Sequence, residues 1–163
     1  MKLTLLLLLA AVLPKAKVPF VVADGNGGFY VSHVGANGAF QVAQIRDGKW
    51  SPARTISGDA NLLVNSADYP SIALVENGKG KRLLASWSTR NGHGTVIHLA
   101  ESRDGGATWS KATTPHPRDG TMGAPMRVAA AGGFPRMAVS KENVGVVWAA
   151  DDGVHFQLLE GVK

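Results

Sequence analysis

Apolar residues come in short runs separated by Gly, Asn, Asp and Pro, and the same order of runs occurs three times. Each copy opens with Pro and a short apolar strand: Pro19-Phe20-Val21-Val22-Ala23, Pro70-Ser71-Ile72-Ala73 and Pro135-Arg136-Met137-Ala138-Val139. A polar or Gly turn leads to a second strand at Gly28 to His33, Leu83 to Trp87 and Val144 to Trp148. Asn37-Gly38, Asn91-Gly92 and Asp152-Gly153 then mark turns into a third strand at Phe40 to Ile45, Val96 to Ala100 and Val154 to Leu159. Two copies add an Asp-Gly turn and a fourth strand led by Trp50-Ser51 or Trp109-Ser110. Pro at strand starts falls where a missing N–H is tolerated. No run beyond the N-terminal segment keeps a 3.6-residue apolar period, so the pattern predicts an all-β chain with few helices.

The Pro19-to-Pro70 and Pro70-to-Pro135 spacings are 51 and 65 residues. Four short strands in a unit of about 40–50 residues describe a propeller blade. The expected architecture is a partial β-propeller: two full four-stranded blades over about 17–58 and 66–115, and an incomplete third over 133–160. Closed propellers need about four to eight blades. Truncation or internal deletion of a longer gene is the favoured reason for the short third copy; assembly of several chains into a ring and a sheet stack covered by a partner are the alternatives. Open blade edges would favour self-association.

Met1-Lys2 followed by the apolar run Leu3 to Leu13 and then Pro14-Lys15-Ala16 has the layout of a signal peptide over 1–16, too short to span a bilayer. The expectation is therefore export to the periplasm or medium, with no membrane span after cleavage. Composition narrows the picture further. Among 163 residues, 18% are charged and 20 are Gly, which fits a turn-rich globular chain and not a disordered one. Absence of Cys excludes disulfides and thiolate-bound zinc. The net charge of +5 is modest, and its tightest cluster, Lys79, Lys81 and Arg82, reads as a hairpin turn, so no nucleic-acid partner is expected.

Ser102-Arg103-Asp104-Gly105-Gly106-Ala107-Thr108-Trp109 meets every position of the pattern Ser-x-Asp-x-Gly-x-Thr-Trp. Asp can accept from backbone N–H groups two residues on, Gly supplies positive φ, and Trp buries a large area between sheets. Arg46-Asp47-Gly48-Lys49-Trp50-Ser51 is a shortened relative. On these residues the chain resembles the sialidase-like superfamily of exported Asp-box (BNR-repeat) propellers, over roughly residues 17–160. The resemblance implies that Ser102, Asp104, Gly106, Thr108 and Trp109 are structural. Segments Ser66 to Ser71, Pro115 to Thr121 and Gly133 to Ala138 are also similar to bacterial exo-α-sialidase-like proteins.

The same resemblance implies a catalytic set that this chain does not spell out. An Arg-Ile-Pro motif should hold the substrate carboxylate through a guanidinium fork. Here Asp68-Tyr69 precedes Pro70, Lys17-Val18 precedes Pro19, and Gly133 stands in the third copy. Leu83 to Arg90 is similar to a family stretch that would retain Arg90, yet Asn91 to Thr95 holds no carboxylate, only His93. The Tyr nucleophile would have to be Tyr30 or Tyr69, both read as strand residues. Asp68 with Asp119 as an acid–base pair, or His93, His98 and His116 as a metal site, find no organised spacing.

The expected function is glycan or protein binding by an exported sialidase-like propeller segment, without standard sialidase catalysis. Candidate ligand residues are Arg90, Asp68, Arg118, Asp119 and His93, with Trp87 read chiefly as packing; catalytic residues are unknown, and no cofactor or metal is expected. A sialoside-like glycan is the expected ligand. The alternatives are an exo-α-sialidase or other glycoside hydrolase completed by a longer form, and a non-functional remnant.

Overall fold

The computed structural model describes residues 12–65, 67–77, 80–91, 94–114, 133–141, 143–150 and 153–159. Strands are the regular elements among them, with no helix. The first sheet contains β1 (Lys17–Ala23), β2 (Phe29–Val34), β3 (Phe40–Arg46), β4 (Lys49–Trp50) and β5 (Arg54–Ser57). Its order is β1-β2-β3-β4, with β5 also paired to β3. The second holds β6 (Ser71–Asn77), β7 (Gly80–Asn91) and β8 (Gly94–Ser102) in that order, and the third β9 (Gly133–Ser140), β10 (Asn143–Ala150) and β11 (Gly153–Leu159). All pairings are antiparallel.

The fourth strands are weaker than the sequence pattern suggests. In the first sheet the fourth strand is split, because the backbone leaves the ladder after Ser51 and Pro52 has no N–H to give it. In the second it shrinks to an isolated bridge between Leu99 and Thr113. Tyr69 also departs from expectation: it lies outside β6, in the turn before it.

The sheets stack face to face. Period-2 alternation sends Leu83, Ala85 and Trp87 of β7 to one side, where they meet Tyr30, Phe40 and Val42 of the first sheet. The opposite face, with Leu84, Ile97 and Leu99, packs on Val144, Val146 and Trp148 of the third sheet. The second sheet is therefore an apolar layer covered on both sides, and β1, β6 and β9 lie side by side along the inner edge.

The Ser102–Trp109 hairpin ties the second sheet to the first. Ser102 Oγ accepts from Gly106 N and donates to Asp104 Oδ1, each at 2.8 Å. Asp104 accepts from Thr108 N at 2.9 Å and from Thr108 Oγ1 at 2.5 Å, while Trp109 Nε1 donates to Gly106 O at 3.2 Å. Gly106 adopts φ +90°, which side-chain-bearing residues rarely take, and a Cβ there would stand a tight 3.0 Å from Val42 Cγ1. Trp109 packs against the cluster between the two sheets. The shorter Arg46–Ser51 turn has positive φ at both Asp47 and Gly48, the requirement of a type I′ hairpin. Both turns end on the same Ser device. Ser51 N donates to Gln44 O and Ser51 Oγ accepts from Gln44 N; Ser110 does the same with Glu101.

Thr108, through its hydroxyl and amide, and Ser102 hold the Asp104 pKa down to about 2. A carboxyl depressed in the folded state stabilises fully above its ordinary value of 3.8, and that stabilisation is lost as pH falls toward 2. Asp104→Ala is expected to lower the melting temperature by a few degrees at pH 7, and by much less at pH 2. Thermal melts at the two pH values check this; an equal loss at both would contradict the hairpin's charge-assisted bonding.

Candidate functional site

Strand register divides the stack into two ends. At one lie the Asp24–Gly28 turn, the link between Asn77 and Gly80, and the Ser102–Trp109 hairpin, where a Cβ on Gly105 would stand 3.2 Å from the Tyr30 hydroxyl. At the other lie the starts of β6, β8 and β9 and the end of β7. There Ser71 faces Ser86, Arg90 faces Thr95 and Gly133 faces Ala149. Asp68 and Arg90, two of the ligand-binding candidates, therefore share the end opposite the hairpin. His93, Arg118 and Asp119 lie outside the described residues.

Asp68 is buried, at 7% exposure. Asn65 Oδ1 accepts from the amides of Ala67 and Asp68 at 2.8 and 2.7 Å, and Asn65 N donates to Asp68 O, closing a tight turn. Arg136 of β9 reinforces this turn from the neighbouring sheet: its Nη2 donates to Ala67 O at 2.8 Å and its guanidinium carbon stands 4.3 Å from the centre of the Tyr69 ring. Phe20 of β1 lies 6.4 Å from that ring, centroid to centroid. Tyr69 is thus a packing residue joining all three sheets, and Arg136 positions the Asp68 turn. Gly133, at φ +138°, admits the close approach of three segments: a Cβ would lie 3.0 Å from Asp68 Oδ1 and 3.4 Å from Thr95 Cγ2. Arg90 is exposed, its backbone N donating to Asn61 O at 2.9 Å. The Asp68 turn and the exposed Arg90 thus lie at one rim.

Trp87 and His98 lie within the stack. Their rings are stacked 5.3 Å apart, Phe40 is 6.0 Å from Trp87, and Thr89 Oγ1 lies 2.8 Å from His98 Nε2. Burial pushes the His98 pKa below its ordinary value, with the Asp59 charge opposing. Trp87 and His98 are therefore interior groups of the sheet interface. Tyr30 is likewise buried, its pKa raised first by desolvation. Arg82, expected in a turn, lies within β7 and pairs with Glu101 at 3.0 Å.

Sequence reasoning missed Asp24. It is buried at the hairpin end and accepts from Asn26 N (2.7 Å), Gly28 N (2.8 Å), Gln44 Nε2 (2.7 Å) and Arg46 Nη2 (2.5 Å). Lys81 of the second sheet donates to Asp24 O, so the turn also bridges two sheets. The available sequence sign was Asp-Gly-Asn-Gly-Gly directly after a strand, a run fit for an Asx-type turn. Arg46 occupies the position a cation would need, which makes this a structural cluster. Among the described residues no three His, Asp or Glu side chains gather as a metal site.

The larger cavity, about 810 Å³, lies between β8 and β11 beside the hairpin, lined by Leu84, Leu99, Trp109 and Leu159 with Arg82 and Arg103. A second, of about 390 Å³, follows the inner edge between Phe20, Leu74 and Met137. Neither contains Asp68 or Arg90.

The stack is that of a partial β-propeller, and solved structures bear out this class. An α-L-arabinofuranosidase from Fusarium graminearum matches with a TM-score of 0.57 at 16% identity, over 89% of this chain and 45% of that one. Penicillium chrysogenum α-L-arabinanase complexed with arabinobiose matches with a TM-score of 0.54 at 17% identity, over 93% of this chain and 47% of that one. The chain thus spans about half the length of these glycosidases, and at such identity the likeness is one of fold. No family model and no curated protein matches.

Proposed function

We propose that the chain is an exported sialidase-like Asp-box propeller segment that binds glycan at the end carrying Asp68 and Arg90, without standard sialidase turnover. The observation that carries this reading is the Asp68 turn: Asn65 and Arg136 fix the backbone that bears Asp68, at the meeting point of three strand starts. Rigid strand-end placement of few polar groups is how sugar sites gain orientation. The Fusarium graminearum arabinofuranosidase was also solved with arabinobiose, which supports a saccharide ligand in general and favours pentose oligomers over sialosides as first probes. An acid where the family's carboxylate-binding Arg belongs also argues against an anionic sugar at that position. Arg118, Asp119 and His93, outside the described residues, remain candidates.

A second reading, a glycoside hydrolase completed in a longer form, is favoured by the glycosidase neighbours of about twice this length. Calorimetric titration with arabino- and sialyl-oligosaccharides, run beside release of a fluorophore from the matching glycosides, separates the two. Binding without release is the expected result. Arg90→Ala and Asp68→Asn should each weaken binding about tenfold, the equivalent of one charged hydrogen bond of ~1.4 kcal/mol. Release of the fluorophore would favour the hydrolase, and unchanged affinity in both variants would move the site elsewhere.

A further inference from the structure

Each sheet presents one face to the sheet before it and one to the sheet after it, and register makes the positions equivalent. Trp87 faces His98 across β7 and β8 as Trp148 faces His155 across β10 and β11, with the rings stacked in both pairs. On this alignment Ile97, Leu99 and Glu101 of β8 correspond to Val154, Phe156 and Leu158 of β11. Ile97 and Leu99 are 0% and 3% exposed because the third sheet covers them. Val154, Phe156 and Leu158 are 80%, 65% and 46% exposed. Val147 of β10, directly across from Phe156, extends the patch, and the Phe156 ring lies over Gly145, filling the place that Leu84 takes in the second sheet. At the other end of the stack the first sheet turns Val21 and Phe29 outward, 58% and 47% exposed. Phe29 there corresponds to Val144, which is buried against the sheet before it. The two outer faces are thus the two halves of the interface already used twice inside the chain.

We infer that these faces bind each other between two copies of this chain. The β10–β11 face of one copy docks head to tail on the β1–β2–β3 face of the next. Unlike faces meeting in this way close into a ring when the rotation permits. Three stacked sheets match 45–47% of the full glycosidase chains, so two copies supply close to one complete propeller's worth of sheets. Apolar sheet faces of this extent are otherwise association hazards.

Sedimentation equilibrium of the purified chain at about 10 μM tests this, since standard-sized interfaces have dissociation constants from about μM down to pM. The expected mass is twice that of one chain. Phe156→Asp and Phe29→Asp should each be monomeric, with a β-sheet circular dichroism spectrum like the parent's. Mixing the two variants should restore a 1:1 pair, because each keeps the face the other has lost. The mixing step also guards against misfolding, since an unfolded variant cannot complement. A monomeric parent chain, or a dimer that persists in Phe29→Asp, would overturn the inference.

Discussion

Trp87→Ala is expected to destabilise the stack by about 3–5 kcal/mol, the usual cost of emptying a large aromatic site. Trp87 is 3% exposed, and its ring fills the space between Phe40 of the first sheet and His98 of its own. Removing it opens a void at the joint between two sheets, where no single sheet can close over the gap. For a chain of this length each kcal/mol corresponds to about 2–4 °C, so a fall in melting temperature of roughly 6–20 °C should follow. Chemical denaturation should show the lower midpoint directly. A loss below about 1 kcal/mol would mean that the first and second sheets do not pack as described.

Asp24→Ala has the second large expected effect. The variant strips acceptors from Asn26 N, Gly28 N and Gln44, while the half-exposed Arg46 turns to water. Buried donors left without acceptors cost more than the net worth of the bonds they made. The melting temperature should fall by several degrees, and Asp24→Asn, which keeps one carbonyl acceptor, should fall less. The pH dependence gives a sharper check. Arg46, then the Asn26 amide, hold the Asp24 carboxyl well below the usual carboxylate range. Its stabilisation is complete above the ordinary value of 3.8 and is lost as pH falls below it. Between pH 6 and pH 3 the parent chain should therefore lose more thermal stability than Asp24→Asn. Parallel pH profiles would contradict the account of this turn.

Much of the fold was legible because strand alternation and turn chemistry are local. Phe40, Gln41 and Val42 show the alternation of a strand, Val96 to Ala100 the near-continuous apolar run of a strand covered on both faces, and Asp47-Gly48 the residues of a hairpin turn. The Ser102–Trp109 pattern likewise announced the packing of its Trp, while Asp104 bonds Thr108 N four residues on and not an amide two residues on. What stayed hidden depends on neighbours far along the chain. Arg136 finds Ala67 across sixty-nine residues of sequence, and Lys81 finds Asp24 across fifty-seven. No periodicity carries such pairings. The weak fourth strands escaped for a related reason, since an outer strand has one pairing partner and its length depends on local geometry more than on pattern. Of the candidate site, Asp68 and Arg90 could be named from sequence, but their common rim follows only from strand register.

The central claim is that this rim, and not the hairpin end, meets a saccharide. Amide chemical-shift mapping during titration with an arabino-oligosaccharide tests it most directly. The account predicts perturbations at Asp68, Tyr69, Arg90, Thr95 and Gly133, with Ser102 to Trp109 unmoved. Shifts confined to Ser102–Trp109 and Arg82, or none at saturating sugar, would contradict it.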